Sequence, residues 1–209
     1  AQQFEPNLAM FQLAVAIYAE STAKAAEMIE RLYAVAPNLS GSGLRESVAA
    51  HDTYIRRRTS TDQQRQAVTG APSASHMARV KASHHHAAGQ HAMAKQALAE
   101  WPDVAVGPGG YTRFTGAVAH FAHITDSDDL FGSVLHCVTP GGLFDVPYDA
   151  VRKFELHEPK MTFEQMLRPI TVTLRDGRVL QARIPLRYPG AASHPKASVR
   201  LARTTSWDY

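Results

Sequence analysis

The chain has 209 residues, of which 44% are hydrophobic and 20% are charged, so its composition predicts a folded globular protein and argues against disorder or a fibrous repeat. Its 22 Lys and Arg against 19 Asp and Glu leave a net charge of +3, too little to follow a phosphate backbone, so nucleic acid is not the expected partner. A single cysteine, Cys137, excludes an internal disulfide framework. The sequence offers neither a signal-peptide pattern nor an apolar run long enough to span a membrane, so we expect a soluble, cytoplasmic protein.

Apolar residues recur every three or four positions through the front half of the chain, the spacing of amphipathic helices. Pro37, Gly89 and Pro102 interrupt this spacing, which predicts five helices with their ends near these residues. The predicted buried stripes are Leu8, Phe11, Val15 and Tyr18; Ala25, Ile29 and Leu32; Leu44, Val48, His51 and Ile55; Met77, Val80, His84 and Ala88; and Met93, Ala97 and Trp101.

The second helix resembles half of a tetratricopeptide repeat. A small residue, Ala25, is followed by the bulky Ile29 four positions later and by Pro37 eight positions beyond that. Two helical pairs with a helix between them predict a short α-solenoid. The stretch PDVAVGPGG then ends the helical periodicity, so we predict a tetratricopeptide-like helical domain over residues 1–105 and a β-rich domain over residues 106–209.

The second half alternates apolar and polar residues, as strands do. In ITVTLRDGRVLQARIP the pair Asp176-Gly177 predicts a two-residue primed hairpin turn, and Gly141-Gly142 is the predicted tip of a second hairpin in SVLHCVTPGGLFDVP. A short strand near Phe154 and a short helix in MTFEQML complete the pattern. The fold class is therefore α+β: a helical array followed by a small antiparallel sheet or partly closed barrel.

Histidines suggest two candidate metal sites. In SHHHAAGQH, the adjacent residues His84, His85 and His86 point about 100° apart on a helix and do not converge on one ion, so adventitious nickel or zinc binding is the expectation. The other candidate is a metal-dependent hydrolase that uses His120, His123 and neighbouring carboxylates, and it stays open as the alternative function. His136 and Cys137 are neighbours in one strand and face opposite ways, which predicts a buried thiol beside a surface histidine rather than a nucleophile with its base.

The stretch ITDSDDLFG carries three carboxylates, Asp126, Asp128 and Asp129. Counted from Asp126, the sixth and twelfth positions are Phe131 and Cys137, where a calcium loop needs Gly and Glu. Carboxylates on one tight turn also do not flank a cleft, as hydrolases require. We interpret this stretch as a turn that leads into a strand.

Several motifs of the second half, in this order, resemble the ImpE family, also called SciE-type or TagJ. They are T-D-x-D-x-x-x-G-x-V-L, a V-P-aromatic step, R-P, Y-P-G and a closing R-L-x-R-x-T-x-W. The residues that carry the resemblance are Thr125, Asp126, Asp128, Gly132, Val134, Leu135, Val146, Pro147, Tyr148, Arg168, Pro169, Tyr188, Pro189, Gly190, Arg200, Leu201, Arg203, Thr205 and Trp207. The chain departs from the family pattern at Ser133, at His136 and in the histidine run, and it is short at the front compared with that pattern.

The resemblance implies a non-enzymatic adaptor of bacterial type VI secretion, without cofactor or metal. Its implied partner is the small subunit of the contractile sheath, close to the ATPase that recycles the sheath. We hypothesise that the helical pairs present an apolar face to a segment of that subunit, as in helix-in-groove recognition. A ligand held by the β-domain alone is a third possibility, for which the sequence offers no specific feature.

Overall fold

The fold is taken from a computed structural model that describes residues 6–56, 66–67, 74–100, 109–114, 116–122 and 134–200. The five predicted helices are all present. They are α1 (Pro6–Tyr18), α2 (Thr22–Val35), α3 (Leu44–Arg56), α4 (Ala74–Ala87) and α5 (His91–Ala99), and a one-turn α6 (Ala197–Arg200) follows late in the chain. Pro37 begins a 3-10 turn after α2, and Gly89, with φ of 73°, separates α4 from α5.

The strands form two sheets, and the fold is α+β. The strands are β1 (Gln66–Ala67), β2 (Gly110–Phe114), β3 (Ala117–Phe121), β4 (Val134–Thr139), β5 (Gly142–Pro147), β6 (Val151–Leu156), β7 (Leu167–Leu174) and β8 (Val179–Pro185). The larger sheet has the order β1-β5-β4-β8-β7-β6, and β2 pairs with β3 in a separate hairpin. The large sheet is open, with β1 and β6 at its edges, so the barrel alternative was wrong. It is also not wholly antiparallel, because β1 joins β5 in parallel.

The buried face of α1 is not the predicted one. The structure buries Ala9, Leu13, Ala16 and Ile17, whereas the predicted stripe is on the outside of the helix: Leu8, Phe11 and Val15 are 47%, 56% and 48% exposed. The cause is that α1 is apolar nearly all round, so its periodicity does not select a face. In α2 and α3 the polar residues define the face, and Ala25, Ile29, Leu32, Leu44, Val48 and His51 are buried as predicted.

The pair α4 and α5 packs through small side chains. Ala82, Ala94 and Ala97 form its core, and the bulkier Met77 and Met93, which were predicted to be buried, are about half exposed. Alanines let two helix backbones approach closely, so the bulky residues lie outside the contact. The tetratricopeptide interpretation of these helices stays a prediction.

The front helices and the sheet share a core. Phe163, in the 3-10 turn Thr162–Gln165, and Leu167, at the start of β7, are 1% and 0% exposed, and they belong to the cluster formed by α1, α2 and α3. A second cluster lies on the other face of the sheet and includes Cys137, Val146 and Val172. The division into residues 1–105 and 106–209 stays a prediction about sequence organisation, because the packing crosses it.

Both predicted hairpins are present, with different turns. Asp176 does not adopt the positive φ of a primed turn; only Gly177 does, at 88°. The Leu174 N–H donates to the Arg178 carbonyl, so three residues form the loop, and the Arg178 N–H donates to the Asp176 carboxylate. In the other hairpin, Thr139 pairs with Gly142, so its tip is one residue earlier than predicted.

The start of α3 lies against the β4–β5 turn. A Cβ atom on Gly43 would be 2.5 Å from Cγ of Pro140, and Gly43 has φ of 67°. Only glycine tolerates both the left-handed backbone and this close approach. The contact fixes where α3 enters the sheet face.

Candidate functional site

The exposed stripe of α1 is an apolar surface on the front half of the protein. Leu8, Phe11 and Val15 are spaced by three and four residues, so their side chains lie on one side of the helix. Each is about half exposed, and the opposite side of α1 is fixed in the core by Leu13. A rigid helix that presents aligned apolar side chains is the geometry by which proteins bind amphipathic segments.

The orientation of α1 is fixed by a clasp formed by Tyr18, Glu20, Arg187 and Gly190. The Arg187 guanidinium donates to the Tyr18 carbonyl at 2.7 Å and to Glu20 Oε1 at 3.3 Å, and its carbon lies 4.2 Å from the centre of the Tyr18 ring. Arg187 also donates to the Arg200 carbonyl at 3.1 Å. The clasp therefore ties the end of α1 to the segment after β8.

The predicted Y-P-G motif supplies the other side of the clasp. The Gly190 N–H donates to Glu20 Oε2 at 3.1 Å, and Gly190 has φ of 83°, which glycine adopts without strain. Glu20 itself has φ of 55°, a rare conformation for a residue with a side chain, and its carboxylate also accepts from the Ala192 N–H. Pro189 is buried and Tyr188 is partly buried. The motif thus makes contacts within this chain.

Tyr54 is at the centre of the contact between α3 and the sheet. The centre of its ring is 6.1 Å from that of His51 and 5.3 Å from that of His136, and its hydroxyl donates to the Arg187 carbonyl. Ala50 and Tyr54 pack on Val138 of β4. This layer lies directly beside the clasp, so the two arrangements share Arg187.

His136 is buried, and the prediction that it lies at the surface was wrong. It is 6% exposed, and its Nδ1 is 2.8 Å from Oδ1 of Asp145, which is 0% exposed and is paired with it across β4 and β5. The error has a physical cause: helix α3 covers the face to which His136 points, while the second core cluster covers the other face. A strand buried on both sides does not show the alternation on which the prediction rested.

Cys137 is a buried thiol, as predicted. Burial, together with the negative charge of Asp145, raises the pKa of Cys137 to about 12. The thiol is therefore protonated at neutral pH, and a protonated thiol is a poor nucleophile. The pairing of Cys137 with Phe144 places it on the sheet face away from His136.

Arg183, which is partly buried, joins β8 to the helices. It lies 3.7 Å from Oε1 of Glu164 and 3.4 Å from the Ser47 hydroxyl, and its guanidinium carbon is 5.5 Å from the centre of the Phe163 ring. Glu164 in turn accepts hydrogen bonds from the N–H groups of Lys160 and Met161. Polar groups at this junction thus fix the register between helices and sheet, and the geometry is that of a support rather than a reaction centre.

We expect His51 to make the fold weaker in acid. Burial, reinforced by Arg187 and opposed by Asp52, lowers the pKa of His51 from 6.5 to about 4. Between these two pKa values, His51 binds a proton in the unfolded chain but not in the folded one. The free energy of unfolding should therefore fall by up to about 3 kcal/mol as the pH drops through this range. Urea midpoints between about pH 7 and about pH 4.5 should therefore depend less on pH in His51→Gln than in the native protein. His157→Gln, at an exposed position, is the control and should keep the native slope; equal slopes in all three proteins would rule out His51 as the group.

The other predicted site residues are dispersed. Pro147 ends β5 and is partly buried, and Arg168 is partly buried on β7, where it donates to the His157 carbonyl at 3.4 Å. Asp126, Asp128, Gly132, Arg203 and Trp207 lie outside the described residues, as do Asp129 and His123. Sequence reasoning did not identify Glu20 or Arg187, because they are remote from each other in sequence, and the one local signal was the position of Arg187 directly before Y-P-G. It also missed Asp145, which faces His136 across the predicted β4–β5 hairpin, so the hairpin register was the signal that could have found this pair.

The histidine run lies at the junction of α4 and α5. His85 Nδ1 is 2.7 Å from Oε1 of Gln90, and the rings of His86 and His91 are 5.1 Å apart. Within the described ranges, three or more His, Cys, Asp or Glu side chains are nowhere gathered as a metal ion would require. His120 is exposed on β3. In the same part of the chain, no helix combines the length and apolar character needed to cross a membrane.

The fold and these surfaces define an α+β protein in which a helical front half is fixed to an open sheet. Residues 119–209 match the sequence model of the family described as ImpE protein, which confirms the predicted resemblance of the second half to this family. A curated relative from Pseudomonas aeruginosa, named type VI secretion system accessory component TagJ, is 29% identical over 89 residues. The match covers 43% of this chain and 32% of that protein, so it spans about a third of the relative's length.

The fold also occurs in a solved structure. The crystal structure of protein VPA1032 from Vibrio parahaemolyticus superimposes with a TM-score of 0.76 and 16% sequence identity. The superposition covers 94% of this chain and 72% of that one, so it includes the helices as well as the sheet. At this identity the likeness establishes the fold alone.

Proposed function

We propose that this chain is a non-enzymatic accessory protein of a bacterial type VI secretion system. The ImpE match over residues 119–209 and the similarity to TagJ support this assignment. The described polar pairs also support it, because they hold elements of the fold together: His136 and Asp145 join β4 to β5, and Arg183 with Glu164 joins β8 to the 3-10 turn. The protein would act in the cytoplasm, without a cofactor or a bound metal.

The proposed partner is the small subunit of the contractile sheath, bound near the ATPase that recycles the sheath. The observation that carries this proposal is the exposed stripe Leu8, Phe11 and Val15 on α1. An amphipathic segment of the partner would lay its apolar face along this stripe. The clasp between Arg187 and Glu20 would hold the stripe in one orientation, so binding would cost little ordering of the receptor.

The motif residues have a different proposed role. Tyr188, Pro189 and Gly190 would support α1 through the clasp, and Pro147 and Arg168 would shape the sheet. For Asp126, Asp128, Gly132, Arg203 and Trp207 we propose a structural or an interaction role, which the family motif alone supports. In this arrangement the second half supports the binding surface and the helical front half supplies it.

Phe11→Glu in the full chain tests the partner surface. Phe11 is 56% exposed at the middle of the stripe, and burying a charge in an apolar contact without a partner is costly. We expect binding to the purified small sheath subunit to weaken by at least about 10-fold, as for an aromatic anchor at the centre of an interface. Titration calorimetry with the purified subunit measures this change.

Leu156→Glu is the matched control. Leu156 is 57% exposed on β6 and receives the same kind of substitution in the other half of the protein. Its affinity for the sheath subunit should equal the native value. Equal affinity of Phe11→Glu and the native chain, or loss of binding in Leu156→Glu alone, would contradict the proposal. The full chain is required, because a fragment of residues 1–105 would lack Phe163 and Leu167 from its core.

A further inference from the structure

The β2–β3 hairpin has little to stabilise it within the described part of the chain. Its strands pair over five positions, from Gly110 with Phe121 to Phe114 with Ala117. Every residue of β3 except Phe121 is exposed, and Tyr111 on β2 is 62% exposed. A two-stranded hairpin alone is marginally stable in water and usually gains further strands or a covering element.

The outer edge of β3 is open among the described residues, because β3 pairs there with β2 alone. In an antiparallel pair every second residue directs its backbone N–H and C=O away from the partner strand. Another strand can pair with such an edge unless the edge strand carries charged side chains or proline, or is very short. The edge strand β6 is protected in this way by Arg152, Lys153 and Glu155, whereas the strand AVAHF of β3 carries no Asp, Glu, Lys, Arg or Pro.

The sequence of β3 is complementary to itself. Two copies of one strand that pair antiparallel about a two-fold axis at Ala119 place Ala117 opposite Phe121 and Val118 opposite His120. A small residue thus meets a large one at each end, Ala119 meets Ala119 at the axis, and no like charges face each other. A β-branched residue opposite an aromatic ring, as Val118 is opposite His120, stabilises a sheet, whereas like charges directly opposite each other would destabilise it.

We propose that the outer edge of β3 pairs with the same edge of a second copy of this chain, so that two hairpins form one four-stranded antiparallel sheet. The occupant is a second copy because the edge is uncharged and its side chains match their own two-fold image. The interface is independent of α1, so its failure would leave the proposed sheath contact untouched. The proposal makes the functional unit a symmetric dimer with two α1 surfaces.

Introducing a charge at Ala119, on the two-fold axis, tests this arrangement in the full chain. Ala119→Glu places two carboxylates opposite each other in the dimer, and Ala119→Lys places two ammonium groups there. Like charges across an interface are strongly unfavourable, so each variant should dimerise at least about 10-fold more weakly than the native chain. An equimolar mixture of the two variants should recover the dimer, because the charges then pair. Sedimentation velocity measures the mass of each sample.

Thr112→Glu is the control, because Thr112 pairs with Ala119 inside the hairpin but lies on β2, which is the outer strand of the proposed four-stranded sheet and does not contact the second copy. This variant should dimerise like the native chain. A native chain that is monomeric up to about 100 μM would overturn the proposal, as would full dimerisation of Ala119→Glu. A mixture of the two charged variants that stays monomeric, or a Thr112→Glu variant that dissociates as they do, would overturn it as well.

Discussion

Replacing Phe163 with Ala should lower the free energy of unfolding by about 3–5 kcal/mol, the usual cost of truncating a buried aromatic ring. Phe163 is 1% exposed and packs among residues of α1, α2 and α3, although it lies in the second half of the sequence. Its loss should therefore loosen the helices and the sheet together. Urea unfolding monitored by circular dichroism measures the change, and hydrogen exchange of α1 and β7 shows whether both regions respond.

Phe154→Ala is the matched control for this substitution. Phe154 lies on the edge strand β6 and is 36% exposed, so the same truncation should cost about 1 kcal/mol or less. One cooperative transition, shifted strongly in Phe163→Ala and little in Phe154→Ala, is the expected result. Faster exchange in β7 with unchanged exchange in α1 would show that the helices do not depend on Phe163.

Asp145→Ala should destabilise the protein by about 3 kcal/mol, because it removes one member of a buried pair and takes this hydrogen bond from the buried His136 imidazole. Asp145 is 0% exposed, and its carboxylate is 2.8 Å from His136 Nδ1. At roughly 2–4 °C per kcal/mol for a chain of this size, the melting temperature should drop by about 6–12 °C. Differential scanning calorimetry measures this shift.

Two further variants separate the contact from the mere loss of a carboxylate. Asp145→Asn keeps the shape and one acceptor oxygen, so its melting temperature should lie between those of Asp145→Ala and the native protein. Asp149 is an exposed aspartate in the 3-10 turn after β5, and Asp149→Ala should stay within about 0.5 kcal/mol of the native stability. A similar loss in Asp149→Ala and Asp145→Ala would exclude the buried pair as the cause.

Local sequence signals identified most of the elements. Pro37 and Gly89 mark helix ends because one lacks a backbone N–H and the other adopts positive φ, and both effects act within a few residues. The alternation of Ile170, Val172 and Leu174 with polar residues predicted β7 for the same reason, and these three side chains lie in one core cluster. The turn at Gly177 differed in type because loop length depends on the strand register, which adjacent residues alone do not determine.

Which face of a helix is buried was harder to predict than the helix itself. In α1 the apolar residues surround the helix, so the core could have formed on the Phe11 side or on the Leu13 side. The choice depends on α2 and on Phe163, which are remote in sequence. In α5 the alanines define the contact, because close backbone approach outweighs the larger area of Met93.

The polar contacts between the helices and the sheet could not be predicted from local sequence for a similar reason. His136 was predicted at the surface, since a single strand does not reveal that α3 covers it. Arg187 and Glu20 come together only when the segment after β8 returns to the end of α1. Arg187 and Glu20 matter because they connect distant segments, which a local pattern does not reveal. The Y-P-G motif was visible in the sequence, but its contact with Glu20 was not.

The contact of Gly43 with Pro140 determines where this chain tolerates added sequence. A hairpin tip is ordinarily a convenient place to insert a peptide tag or a fluorescent label. The β4–β5 tip is unsuitable here, because an insertion beside Pro140 would wedge α3 away from the sheet. The β7–β8 tip has open space around Gly177, so a probe placed there should leave the packing of the helices on the sheet unchanged.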